Sequence, residues 1–277
     1  METNRSPQLD MSIPSNMKRL VFIPGVRFHR KFATAHERIA WACDDIRELK
    51  QQARDFFASD AHERVCEPDP DGSYFVDKIK FKKRLPGKVT KSAVSAIENL
   101  RSALDHAACA VISTAADRRN TSFPFGDSKR QFEGHLRSKA RYLPDEIKSL
   151  IRTFKPYERG NSPLWALNKL CNTHKHRTII GPGIDVKEVK FVEPSLNDSF
   201  LRYHRPVWNR RKNEIVISRT TRNGTSQHDV DALLGIAFGK VPVFGSFEVL
   251  RSLRYLTSMV QSIVLAIEAE ARRIKVI

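Results

Sequence analysis

The sequence predicts an α+β protein: a helical bundle of about four main helices with an antiparallel β hairpin and a small sheet inserted. Three observations lead to this. Apolar residues recur at three- and four-residue steps over long stretches near both ends and in the middle of the chain, the mark of helices with one buried face. Two intervening regions alternate apolar and polar residues, the period of strands. Turn residues bound those regions: Asp71-Gly72 in the first, and Pro, Gly and Asn between Thr178 and Lys240 in the second. The chain has 277 residues, 40% of them hydrophobic, so it can bury a core without staples.

Residues 1–17 carry Glu2 and Asp10 and lack an apolar stretch, so they read as a disordered tail rather than a secretory signal. Residues 18–25, KRLVFIPG, form a short apolar run, a strand or an anchor. From 29 to 59, Phe32, Ala35, Ile39, Cys43, Ile46, Leu49, Ala53 and Phe57 give a bundle-type helix. In 62–86, Ile79 and Phe81 alternate with Lys78, Lys80 and Lys82, predicting a hairpin with a lysine-lined outer face. That face suits either a phosphate track or an edge strand protected from aggregation. The central helix, 88–116, stacks Ala93, Ile97, Leu100, Leu104, Ala107 and Val111. Phe123 and Phe125 of the following loop are expected to plug the core. Shorter helices follow at 128–139 and 144–154. Asn161-Ser162-Pro163 starts a helix that runs to 177. Strands are predicted at 188–193, 199–205, 214–220 and 229–238, and a last helix over 246–275, capped by Ser246. The reading is one domain over 18–277, with helical parts at 29–59, 88–177 and 246–275 and β segments at 62–86 and 186–238.

Lys and Arg number 48 against 31 Asp and Glu, a net charge of +17 and a pI near 10.0. So one-sided a balance favours an anionic partner, with nucleic acid the default, because neutralising phosphates releases condensed counterions. Cys43, Cys66, Cys109 and Cys171 lie far apart without a C-x-x-C pair and read as reduced thiols. The most apolar run, 103–116, is shorter than the ~20 residues of a membrane span. A soluble, cytoplasmic protein with no membrane partner is expected.

Two constellations carry chemistry. The first is Asn99, Arg101, Asp105 and His106 on the central helix. At 100° per residue, Arg101 flanks the apolar stripe with Asp105 one turn away, while His106 lies on the other side near Asn99 and Ser102. A site shared by Arg101 and His106 then needs the arginine to wrap round, the helix to end or kink near Asp105, or a second helix. Spacing alone favours an Arg101–Asp105 pair and a hydrogen-bonded histidine. The second is Asn168, Asn172, Lys175, His176 and Arg177, where Asn168, Asn172 and His176 form a polar stripe. His174 and His176 point almost oppositely on a helix, and no carboxylates cluster, so no metal is predicted.

Together LRSALDH, the FPF loop and N-x-x-K-H-R resemble a pattern found in a large group of uncharacterised bacterial proteins, over roughly residues 74 to 180. More distantly, Arg101-x-x-x-x-His106 resembles the R-x(4-6)-H motif of the HEPN superfamily, helical-bundle proteins that include metal-independent ribonucleases of toxin and phage-defence systems. Ser102 departs from the Asn, Asp or His that frequently follows the arginine in active members. The resemblance implies that Arg101 stabilises charge on the scissile phosphate, that His106 moves the proton of the attacking ribose hydroxyl, and that a homodimer brings two such helices together. Asn99, Asn172, Lys175, His176 and Arg177 become the expected RNA contacts. The expectation is an RNA-binding protein with metal-independent endoribonuclease activity and no cofactor; the competing class is a non-catalytic basic nucleic-acid-binding or interaction protein.

Overall fold

Two long helices packed side by side form the centre of the computed structural model, which describes residues 28–176, 182–192, 201–203, 208–209, 211–221, 229–238 and 248–277. The tail at 1–17, the run at 18–25 and the Ser246 cap lie outside these residues. A 3-10 turn, Arg30–Phe32, leads into α1 (Ala33–Ala58), which buries Ala35, Ile39, Ala42, Ile46, Leu49 and Ala53. Helix α2 (Gly87–Ala110) buries Ala93, Ile97, Leu100, Leu104 and Ala107. Each fully buried Leu or Ile contributes about 1.5–3 kcal/mol. The pairing is antiparallel, since Arg38 reaches Asn99 while Gln52 faces Ser92.

Helix α2 stops at Ala110, six residues before the expected end. Val111 and Ile112 instead drop into the core, and Thr114 caps a new short helix, α3 (Ala115–Arg119), by accepting from the Asp117 N–H at 3.2 Å. The β-branched and hydroxyl residues at 111–114 favour this break over helix continuation. Helices α4 (Lys129–Ser138) and α5 (Asp145–Phe154) follow, the first capped by Ser128. Asn161 caps α6 (Ser162–His176) through its side-chain oxygen on the Leu164 N–H, 3.1 Å, as its sequence predicts. Helix α7 (Val249–Arg273) closes the bundle against α1 and α2. There the buried Glu268 accepts from the His29 N–H, His36 Nε2 and Arg272 Nη2 at 2.8, 2.9 and 2.6 Å. Burial alone would raise the Glu268 pKa, but these donors outweigh it and hold the carboxyl below its usual value.

Strands β1 (His62–Pro68) and β2 (Tyr74–Phe81) form the expected hairpin, with Gly72 at φ +73° in its turn. The later strands are β3 (Pro182–Val192), β4 (Leu201–Tyr203), β5 (Trp208–Asn209), β6 (Glu214–Thr221) and β7 (Asp229–Phe238). They do not form one small sheet. Strand β6 joins the hairpin in the order β1-β2-β6-β4, with β5 also on β6, while β3 and β7 pair separately. All of these pairings are antiparallel. Strand β2 is therefore interior, and its lysines are not edge guards. Nor are they free for phosphate: Lys78 and Lys80 bind Glu67 at 2.5 Å each, and Lys82 lies 3.0 Å from Asp60 and 3.4 Å from Glu63. The two lysines hold the Glu67 carboxyl down at about 2. A smaller core of Phe56, Ala61, Ile79, Phe81, Ile184, Ile215 and Ile217 joins the sheets to the end of α1. Among the described residues, no helix is long and apolar enough to cross a membrane.

Candidate functional site

Helix α2 presents two polar edges on either side of its buried stripe, and they meet different neighbours. On one edge stands Arg101, whose side chain is 15% exposed. Its Nε donates to Asn168 Oδ1 of α6 at 3.0 Å. Its guanidinium lies 4.5 Å above the Phe125 ring, and its Nη1 is 2.5 Å from Asp105 Oδ2. That last approach is close but not aligned as a hydrogen bond, so it is an ionic contact. Asp105 in turn accepts the Phe123 N–H at 2.9 Å. Phe123 and Phe125 are buried and contact each other with centroids 5.1 Å apart. LRSALDH, the FPF loop and the start of the Asn168 stripe thus converge on one guanidinium. Nearby, Asp127 takes Trp165 Nε1 at 3.0 Å and Lys169 Nζ at 2.8 Å, and Lys169 first, then Trp165, keep its pKa below the ordinary value.

The opposite edge faces α1. Asn99 is nearly buried and donates its Nδ2 to Asp45 Oδ2 at 2.9 Å, while its Oδ1 accepts from Arg38 Nη1 at 3.0 Å. Ser95 Oγ also donates to Asp45 Oδ2, at 2.8 Å. The carboxylate therefore fixes which way the Asn99 amide points, and the amide fixes the guanidinium. Arg38 lies 4.9 Å from the centre of the Trp41 ring, and Trp41 is 48% exposed. The Arg38 Nε is buried without a partner. His106, seven residues after Asn99 and so on the same edge, is half-buried and has no hydrogen-bond partner among the described residues. Burial first, then the Arg38 charge, lower its pKa; Asp105 opposes them more weakly.

The expected site residues are thus divided. Arg101 joins Asn168, Asp105 and Phe125; Asn99 and His106 lie with Arg38 and Asp45. Helix α2 runs unbroken past Asp105, and Arg101 does not wrap round. Of the three ways to give Arg101 and His106 a common site, only a second helix remains, and the one beside His106 brings its own arginine. Asn172 is exposed one turn beyond Asn168. Lys175 and His176 close α6, and Arg177 lies outside the described residues. Arg38, Trp41 and Asp45 escaped the sequence reading. Their signal was a seven-residue spacing of polar positions, 38-45-52 on α1 against 92-99-106 on α2, along the margin of each apolar stripe.

Among the described residues no three His, Cys, Asp or Glu side chains cluster as metal ligands. What the His106 edge offers is a positioned cation, a half-buried imidazole and an exposed indole, a set suited to an anionic oxygen beside an aromatic ring. The chain matches no protein-family model, no curated protein and no solved structure.

Proposed function

We propose that the protein binds RNA. The observation that carries this reading is the net charge of +17, and the distribution of that charge supports it. From 117 to 141, across α3 and α4, Arg118, Arg119, Lys129, Arg130, Arg137, Lys139 and Arg141 are all exposed, against only Asp117, Asp127 and Glu133. Such a surface supplies phosphate contacts whose strength depends on salt. Affinity for RNA, read by fluorescence anisotropy, is expected to fall by orders of magnitude between about 50 and 200 mM salt. A flat salt response, or no binding at low salt, overturns the proposal.

A second reading, metal-independent cleavage of RNA, is favoured by one observation: the half-buried His106 imidazole has no hydrogen-bond partner among the described residues and stands on the α2 edge that Arg38 faces. Such a pair can take the proton of a ribose 2′-hydroxyl as it attacks the adjacent phosphorus; the P–O5′ bond breaks, the 5′-oxygen leaves with a proton from the imidazolium or water, and the cation stabilises the charge that develops. Cleavage should then persist in EDTA, fail on a 2′-deoxy substrate, and drop by roughly 10²–10⁴ in His106→Ala. Equal turnover by a folded His106→Ala variant, or no turnover by the wild type, removes this reading and leaves the binding protein.

A further inference from the structure

We propose that the α1–α2 edge formed by Arg38, Trp41, Asn99 and His106 is a nucleotide subsite for single-stranded RNA, holding a phosphate on Arg38 and His106 and stacking one unpaired base on Trp41. The inference rests on the RNA-binding reading and deepens it by naming the substrate class and the residues that select it.

The argument begins with Trp41. This indole is about half exposed on α1, with its ring against the Arg38 guanidinium. A flat ring beside a fixed cation is how proteins hold unstacked bases, since the base takes the ring face and the neighbouring phosphate takes the charge. A base inside a duplex cannot reach such a ring, so the site selects single strands.

The second step is preorganisation. Among the described residues Arg38 has no carboxylate partner: the hydrogen bond it makes, to Asn99 Oδ1, is to a neutral amide. The acid nearest in that chain of bonds, Asp45, spends its Oδ2 on Ser95 and Asn99 rather than on the guanidinium. The arginine is thus oriented without being neutralised, the reverse of Arg101 on the other edge. His106, with both ring nitrogens unpartnered within the described chain, adds a donor or acceptor on the same edge.

The third step is continuity with the basic surface. One turn past His106, Cys109 Sγ lies 3.5 Å from the Arg118 carbonyl oxygen and 3.4 Å from that of Thr121, so α3 begins where this edge ends. A strand seated at Arg38 and His106 therefore leads to the exposed Arg118 and Arg119.

The test compares a fluorescein-labelled single-stranded oligoribonucleotide, the same sequence as a duplex, and a free nucleoside monophosphate, each titrated with full-length wild type, Trp41→Ala, Arg38→Gln and His106→Gln. Folding of each variant is checked by circular dichroism and thermal melting. Trp41→Ala, at an exposed position, should weaken single-strand binding about five- to hundredfold, the worth of one stacked base, and leave duplex binding unchanged. Arg38→Gln should weaken the single strand and also reduce the steepness of its salt dependence by about one phosphate. The monophosphate arm separates a strand-binding site from one for free nucleotides; tight binding of the monophosphate equal to that of the strand overturns the assignment to RNA. Unchanged single-strand affinity in folded Trp41→Ala overturns the subsite while leaving general RNA binding standing, and a variant that changes only the sedimentation behaviour assigns Trp41 to a contact between copies instead. Absence of any binding by wild type at low salt removes the parent reading as well.

Discussion

The two edges of α2 contain the same kinds of residue and use them in opposite ways. Arg101 and Arg38 each rest on an aromatic ring and each bind an asparagine oxygen at 3.0 Å. But Arg101 also has Asp105 against it and a loop folded over it, while among the described residues Arg38 is hydrogen-bonded by an amide alone, beside an exposed indole. The difference lies in what the neighbouring chain does. On the Arg101 edge, the FPF loop and α6 make the arginine part of the core's outer wall, where its charge is used to join three segments. On the Arg38 edge, Arg38 is half-exposed and Trp41 is 48% exposed, so the same chemistry faces outward. An arginine in a motif is a candidate for function only when its charge is not already matched, and matching depends on partners distant in sequence.

The largest expected effect tests the wall that separates the edges. Leu104 is fully buried between them, and Leu104→Asp should cost on the order of 5 kcal/mol, comparable to the total stability of a small domain. Circular dichroism and urea titration would register an unfolded or aggregated protein. A stable, folded Leu104→Asp variant would mean that the two edges are not divided by a packed core.

Next in size is the contrast between the arginines. Arg101→Ala removes a hydrogen bond, an ionic contact and the cation over the Phe125 ring, and leaves Asp105 with only the Phe123 N–H; about 2–4 kcal/mol of stability should go. Arg38→Ala removes one hydrogen bond and a ring contact with the exposed Trp41 at a half-exposed position and should cost about 1 kcal/mol. Urea midpoints at constant m-value give both numbers. If Arg101→Ala melts like wild type yet loses RNA binding or cleavage, Arg101 is functional in the way the HEPN resemblance implies, and the contrast between the edges is broken.

These contacts also explain how much was legible in advance. The helices could be read because apolar periodicity is local, and the cap at Asn161 because capping uses residues three positions apart. The fate of the β2 lysines was not legible: nothing in the alternation of Ile79 and Phe81 with lysines says that β6 will pair beyond β2 or that Glu67 will take two ammonium groups. At the site, helical geometry correctly set His106 with Asn99 and apart from Arg101. It could not say that the open side would face Arg38 and Trp41, because that depends on how α1 is rotated against α2. The seven-residue polar spacing on both helices was the available clue, and it becomes meaningful only once the two are known to pair.

The smallest expected effect sharpens the comparison at His106 itself. Its folded pKa lies below the ordinary 6.5 because burial and Arg38 disfavour the charged ring more than Asp105 favours it. The unfolded chain therefore binds this proton more readily than the folded one, so the contribution runs against the fold as pH drops. It is absent well above 6.5, grows as pH falls through the unfolded value, and is complete below the depressed folded value. Melting curves of wild type and His106→Gln at about pH 7.5 and pH 5 isolate the residue, since Asp, Glu and other His groups titrate equally in both and cancel in the difference. The variant should lose less stability on acidification than wild type does, and Arg38→Gln should also narrow the loss by removing one of its two causes. Parallel acid losses in all three proteins would mean that His106 does not feel Arg38, and the open edge of α2 would no longer be a distinct chemical environment.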